Sequence, residues 1–273
     1  MPIWSSSSWS RKIRLFSRLV MTTRYRATVA YDGTAYQGFQ RQAGATPTVQ
    51  LALEDAIAAT TTQRVTVIPA GRTDSGVHAT GQVIAFDVTW QHEDEALLRA
   101  INARLPEDIA LQDIAQQPGF HPRYDALSRV YIYRVIQAAR PQPLLRRQTW
   151  RVHQPLDMVL MQQAAGLLIG EHDFATFGQP PQGNNTVRTV MQSLWQRDAA
   201  AYGAKLTYTI EANAFLYRMV RRVVGMLVDV GRGLLSSAEF EAAFRKAELS
   251  QAGTIAPPQG LTLAAVRYPQ QDV

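Results

Sequence analysis

Hydrophobic and polar positions along the chain change period several times, and the changes mark out its elements. Arg24 to Tyr31 alternates apolar with polar, the spacing of a half-buried strand. Val49 to Ala59 repeats its apolar residues at helical spacing, with Thr46 as the expected N-cap and Pro47 at the first helical position. Arg64 to Pro69 and Gln82 to Val88 read as strands on either side of a turn at Asp74. Glu93 to Ala103 reads as a helix, Ile109 to Ala115 as extended chain, and Ser128 to Ile136, rich in Val, Ile and Tyr, as a strand. Ala138 to Pro143, with Pro141 and Pro143, forms a natural joint.

Beyond the joint, Met158 to Ile169 predicts a helix ended by Gly170, and Gly178 to Asn185 a polar loop of the ligand-facing kind. Val187 to Gln196 and Ala204 to Glu211 predict an antiparallel pair. Asn213 is the expected cap of a helix from Phe215 to Val230, stopped by Gly231. Phe240 to Lys246 and Leu261 to Tyr268 predict a last helix and strand. The order of elements argues an α+β (mixed α/β) fold of two α/β halves, 21–140 and 141–273, with antiparallel sheets joined around a central active-site cleft. Residues 1–20 stand apart. They are basic, rich in Ser and Trp and free of acid, which suits a transit peptide; the expectation here is that Met21, immediately before the first strand, is the start.

Composition narrows the chemistry. The 273 residues are 46% hydrophobic, enough for a large core, and none is Cys, which rules out disulfides, thiolate catalysis and Cys-ligated zinc. The five His residues show no helical pair, so no metal is expected. No phosphate-loop or dinucleotide string occurs, so no cofactor is expected. No apolar run approaches about 18 residues, so no membrane span is expected. The formal charge of +6 is weak evidence for a polyanionic partner. Arg11, Lys12, Arg14, Arg18, Arg24 and Arg26 all precede the first acid, Asp32, and leave 22 basic residues against 22 acidic ones. The type of cation says more: only Lys12, Lys205 and Lys246 are lysines, and Arg forks suit phosphates and base edges. A G- and C-rich genome accounts for the same bias.

Gly71-Arg72-Thr73-Asp74-Ser75-Gly76-Val77-His78-Ala79 sets an acid on a Gly-flanked turn, two residues from a guanidinium. Alone this is ordinary turn chemistry. It resembles, however, the catalytic motif of the tRNA pseudouridine synthase A (TruA) family. So do four further segments in the same order: Tyr31 to Gln42 (YDGTAYQGFQRQ), Phe120 to Ala126 with Arg129 to Tyr133, Phe215 to Arg221, and Gly260 to Leu263.

The resemblance implies the pseudouridine synthase fold and an isomerisation of uridine to pseudouridine at tRNA nucleotides 38, 39 and 40. It also implies a cytoplasmic homodimer whose tRNA, held at anticodon stem-loop and elbow, contacts both protomers. Asp74 is then the catalytic carboxylate, adding to the uracil ring or attacking ribose C1′. Arg72 holds the flipped nucleotide. Tyr131, which shares a strand face with Arg129 and Tyr133, stacks on the uracil and serves proton transfer. An Arg on the Phe215–Val230 helix keeps Asp74 ionised. Arg221, at the edge of the apolar arc, is the choice, although Arg222 stands where Asn is commoner and Arg218 is close. Leu261, Leu263, His78, Gln40 and Arg41 join Tyr131 as substrate-binding candidates, and Thr262 stands in place of a frequent aromatic. Two other readings remain: a tRNA-binding module without catalysis, and a nucleoside glycosidase, which needs a second acid such as Asp32 or Asp125.

Overall fold

Alternating strands place one apolar face each, and helices with one apolar stripe cover it; the computed structural model follows this logic over residues 21–44, 46–180 and 183–269. Residues 1–20, with the expected start at Met21, lie outside the described residues. In chain order the elements are β1 (Thr23–Tyr31), α1 (Val49–Thr61), β2 (Ile68–Pro69), β3 (His78–Val88), α2 (Asp94–Asn102), β4 (Ile109–Gln116), β5 (Ser128–Gln137) and β6 (Trp150–Val152). They continue as α3 (Met158–Gly166), β7 (Gly170–Asp173), β8 (Val187–Ala200), β9 (Gly203–Ala212), α4 (Met219–Gly231), α5 (Ser237–Lys246) and β10 (Leu261–Arg267).

The ten strands among the described residues form one mixed sheet in the order β4-β1-β3-β10-β5-β9-β8-β7, with β2 beside β3 and β6 beside β5. The last strand is the seam. β10 runs parallel to β3 (Thr262 opposite His78) and antiparallel to β5 (Leu263 opposite Tyr131). The main buried core runs from Tyr25 and Phe86 to Tyr208 and Phe240, and a small second cluster joins Ala70, Val83, Ala85 and Phe120. Among the described residues no helix is long and apolar enough to cross a membrane.

Several predicted boundaries shift for identifiable reasons. Thr48, not Thr46, caps α1, its hydroxyl accepting from the Leu51 amide. Only Ile68–Pro69 of the Arg64–Pro69 stretch is a strand, because α1 side chains satisfy Val67: Glu54 accepts from its amide and Gln50 donates to its carbonyl. α3 ends at Gly166 and gives way to tight turns, so Gly170 opens β7 instead of closing the helix. α5 begins three residues before the expected Phe240, on a Ser236–Glu239 capping box. α4 begins at Met219, not Phe215. Asn213 does not cap it; its side-chain oxygen accepts from the Thr189 and Ala214 amides.

Candidate active site

The Asp74 turn is bonded on several sides. The Val77 amide donates to the Asp74 carbonyl (3.2 Å), and Gly76 takes φ +75°, a conformation that a side chain there would strain. The segment after β1 supports it: the Phe39 amide donates to Thr73 O (3.1 Å), and the Gly76 amide and Ser75 hydroxyl both donate to Tyr36 O (3.3 and 3.2 Å). Gly33 lies so close to the turn that a Cβ would overlap the Val77 carbonyl oxygen. Beneath, the hydroxyls of Tyr31 and Thr73 bond at 2.8 Å, and burial pushes the Tyr31 phenol up to about 12. The motif around Tyr31–Phe39 is therefore scaffolding for the carboxylate.

Arg221, in the first turn of α4, donates to Asp74 Oδ2 at 3.1 Å, with the two side chains 13% and 21% exposed. Its Nε is anchored on Ala256 O (2.8 Å), while the Ala256 amide returns a bond to Arg221 O (2.9 Å). Gly225, one turn further, lets that strand of chain lie against the helix, since a Cβ would overlap Thr254 O. Arg222, rotated by about 100° on the helix, instead donates to the Phe177 and Tyr217 carbonyls (3.2 and 3.0 Å). Of the three arginines, Arg221 is the one whose guanidinium meets Asp74, because its neighbour Arg222 points to other carbonyls.

Tyr131 lies mid-strand between Leu263 of β10 and Ile210 of β9, 8% exposed, with Phe215 edge-on at 5.0 Å. Burial raises its pKa, and the neighbouring Tyr31 and Asp74 raise it further. The phenol therefore stays protonated at neutral pH, suited to donating a hydrogen bond. Arg72 is exposed and makes no hydrogen bond or ion pair with the described residues.

The other substrate-binding candidates divide. Leu263 is fully enclosed and Leu261 nearly so; they form the layer packed beside Tyr131 and Tyr133. Thr262 takes the place of an aromatic by accepting from Arg134 (2.9 Å). His78 is buried, its Nδ1 accepting from the Gly33 amide (3.1 Å) and its Nε2 facing Gln259 O (3.2 Å), which ties β3 to the segments on both sides. Gln40 is exposed. Arg41 is half-exposed but its guanidinium is bound to the buried Glu54 (2.7 Å).

One organiser was not singled out from sequence. Arg129 donates to four carbonyls: Ala70 just before the Asp74 turn (3.1 Å), Arg123 (2.7 Å), Ala126 (3.4 Å) and Asn213 (2.9 Å). Its place on the face of Tyr131 was the available signal. The acids that a glycosidase would need are engaged elsewhere. Asp125 accepts from the His121 amide. Asp32 caps Thr34; burial opposes its charge, but hydrogen bonds from the Thr34 hydroxyl and amide outweigh burial and hold its carboxyl below the usual value. Among the described residues no group of three or more His, Cys, Asp or Glu is placed to hold a metal.

Residues 27–125 and 164–269 match the model of a family described as tRNA pseudouridine synthase, spans that include Asp74 and Arg221 but not Tyr131. Curated relatives named tRNA pseudouridine synthase A agree over most of both chains. One from Neisseria gonorrhoeae (strain NCCP11945) is 41% identical over 248 residues, covering 90% of this chain and 92% of the relative. One from Methylacidiphilum infernorum (isolate V4) is 40% identical, covering 90% and 95%. One from Chloroflexus aurantiacus (strain ATCC 29366 / DSM 635 / J-10-fl) is 43% identical over 246 residues, covering 88% and 87%.

Proposed function

This chain belongs to the tRNA pseudouridine synthase family, and we propose that it isomerises uridine to pseudouridine at nucleotides 38, 39 and 40 of the anticodon stem-loop, with Asp74 as the catalytic carboxylate. The observation that carries this reading is the Asp74–Arg221 pair: a backbone-built turn presenting one acid to one anchored guanidinium. Arg221 Nη1 donates to one carboxylate oxygen and holds the side chain in place, and a carboxylate is a nucleophile able to attack carbon.

The reaction balances without redox change or cofactor. The N1–C1′ bond breaks, the uracil rotates, C5 bonds to C1′, the C5 proton leaves, and N1 gains a proton. Tyr131, kept as a phenol, flanks the base and supplies a hydrogen-bond donor. Arg72, exposed beside the turn, takes a phosphate of the extruded nucleotide. Leu261 and Leu263 back the pocket, and His78 holds the loop in place while Gln40 and Arg41 lie at its RNA-facing rim. The protein acts in the cytoplasm as a homodimer, with one tRNA, held also at its elbow, touching both protomers.

Tritium release separates this reading from its rivals. With tRNA carrying tritium at C5 of uridine, isomerisation puts tritium into water in step with pseudouridine formed. A binding module releases none, and a glycosidase frees uracil that keeps its tritium; either result overturns the assignment. The glycosidase reading also needs a second, protonated acid, which the anionic Asp32 does not supply.

A further inference from the structure

Three residues other than Gly have positive φ among the described residues: Thr62, Ala247 and Arg218. Thr62 and Ala247 close the C-terminal ends of α1 and α5, where a left-handed residue is the usual stop. Arg218 lies at the opposite end of its helix, before α4, so no C-cap accounts for it. It is the third residue of a turn from Leu216 to Met219, closed by the Met219 amide on Leu216 O (3.1 Å), with φ +60° and ψ 13°. That position favours Gly or Asn, and an Arg there is held against its own preference.

Among the described residues the strained side chain holds no polar group. Arg221 is bonded to Asp74 and Ala256, and Arg222 to Phe177 and Tyr217. Arg218 makes no hydrogen bond or ion pair with the described residues; its guanidinium lies exposed over the Tyr217 ring at 4.8 Å, and Tyr217 is itself 53% exposed. Three arginines within five residues repel one another. Burial, and next the charge of Arg218, hold the pKa of Arg222 down. An anion arriving from outside relieves this crowding.

The backbone of the segment is firmly placed even though its two side chains are exposed. The Tyr217 amide donates to Gln179 O (3.0 Å), Arg222 takes the Tyr217 carbonyl, and Phe215 packs against Tyr131. Tyr217 and Arg218 therefore stand on the same short segment that touches the base-stacking tyrosine and leads into the Asp74 partner.

We propose that Tyr217 and Arg218 form a nucleotide-reading pair at the rim of the Asp74 site, with Arg218 taking an RNA phosphate next to the target uridine and Tyr217 packing on the sugar or base of that neighbour. The inference rests on the proposed function. The pair binds and positions; it does not touch the reacting atoms.

The test uses the full chain with Arg218→Gly, Arg218→Asn and Tyr217→Ala. Gly and Asn both suit the left-handed position, so folding is preserved and Tm should stay level or rise in Arg218→Gly. In tritium release KM should rise roughly tenfold while kcat changes little, the loss of a charge-assisted contact. The slope of log Kd for tRNA against log salt should fall by about 0.7–0.9 in both Arg218 variants, one phosphate contact, and remain as in wild type for Tyr217→Ala. Unchanged KM and salt slope in both Arg218 variants would overturn the proposal, as would a lowered Tm with binding intact. Failure of wild-type protein to release tritium would strike the proposed function instead, and the salt slope would still decide the role of Arg218.

Discussion

Asp74 and Arg221 meet at 3.1 Å but are held in different ways. Asp74 is presented by backbone: its turn is bonded to Tyr36 and Phe39, pressed on by Gly33 and pinned below by the Tyr31–Thr73 hydroxyls. Arg221 is presented by a side chain whose Nε rests on a single carbonyl, Ala256 O, on a helix that opens with a strained, exposed residue. The comparison teaches a division of labour. The carboxylate, which on the proposed function has to face carbon at one angle, stands on a turn fixed by backbone hydrogen bonds. The cation, which needs only to stay within reach, leaves its own neighbourhood free to carry side chains that meet a substrate.

That comparison can be broken by filling the space under the turn. Gly33→Ala sets a Cβ on the Val77 carbonyl oxygen, so the turn or β1 must move. The expected cost is about 3 kcal/mol in chemical unfolding, with turnover reduced further than stability alone explains. A variant as stable and active as wild type would show that the carboxylate is less rigidly held than described. Arg221→Ala tests the other partner. It strands a mostly buried carboxylate, for an expected loss of about 2–3 kcal/mol and a collapse in turnover. Arg222→Ala removes two carbonyl bonds and should cost about 1–2 kcal/mol with turnover largely kept. If the two variants exchanged phenotypes, the pairing would be assigned to the wrong arginine. Tyr131 sharpens the comparison from the substrate side. Stacking, worth about 1–3 kcal/mol per base, survives in Tyr131→Phe and is lost in Tyr131→Leu. The Phe variant should bind tRNA like wild type and turn over more slowly; equal binding by both variants removes the stacking role.

The Asp74 motif was legible through its resemblance to a family motif; its Gly, acid and guanidinium within a few residues read by themselves as ordinary turn chemistry. The strand cores of β1, β5, β8 and β9 were legible from local pattern and composition. What escaped depends on distant chain. β10 slots between β3 and β5, a placement no period encodes. β6 and β7 are too short to show one. Val67 gives its backbone bonds to Gln50 and Glu54, so a stretch of strand-like composition pairs at only two residues. The start of α4 is not where the pattern puts it, because an Arg occupies a turn position that favours Gly, yet the edge of the apolar arc still singled out Arg221 over Arg222. Arg129 looked like one more strand-face residue; its four carbonyl partners come from three separate stretches of chain.

The most direct test of the central claim is Asp74→Asn, which keeps the shape of the side chain and removes its charge and nucleophilicity. Tritium release from uridine-labelled tRNA and equilibrium binding of the same tRNA should be measured side by side. The account predicts turnover below about a hundredth of wild type, more than 2.7 kcal/mol of barrier, with affinity held within several-fold because phosphate contacts dominate binding. Turnover above that level in protein free of wild-type enzyme would contradict the assignment of Asp74.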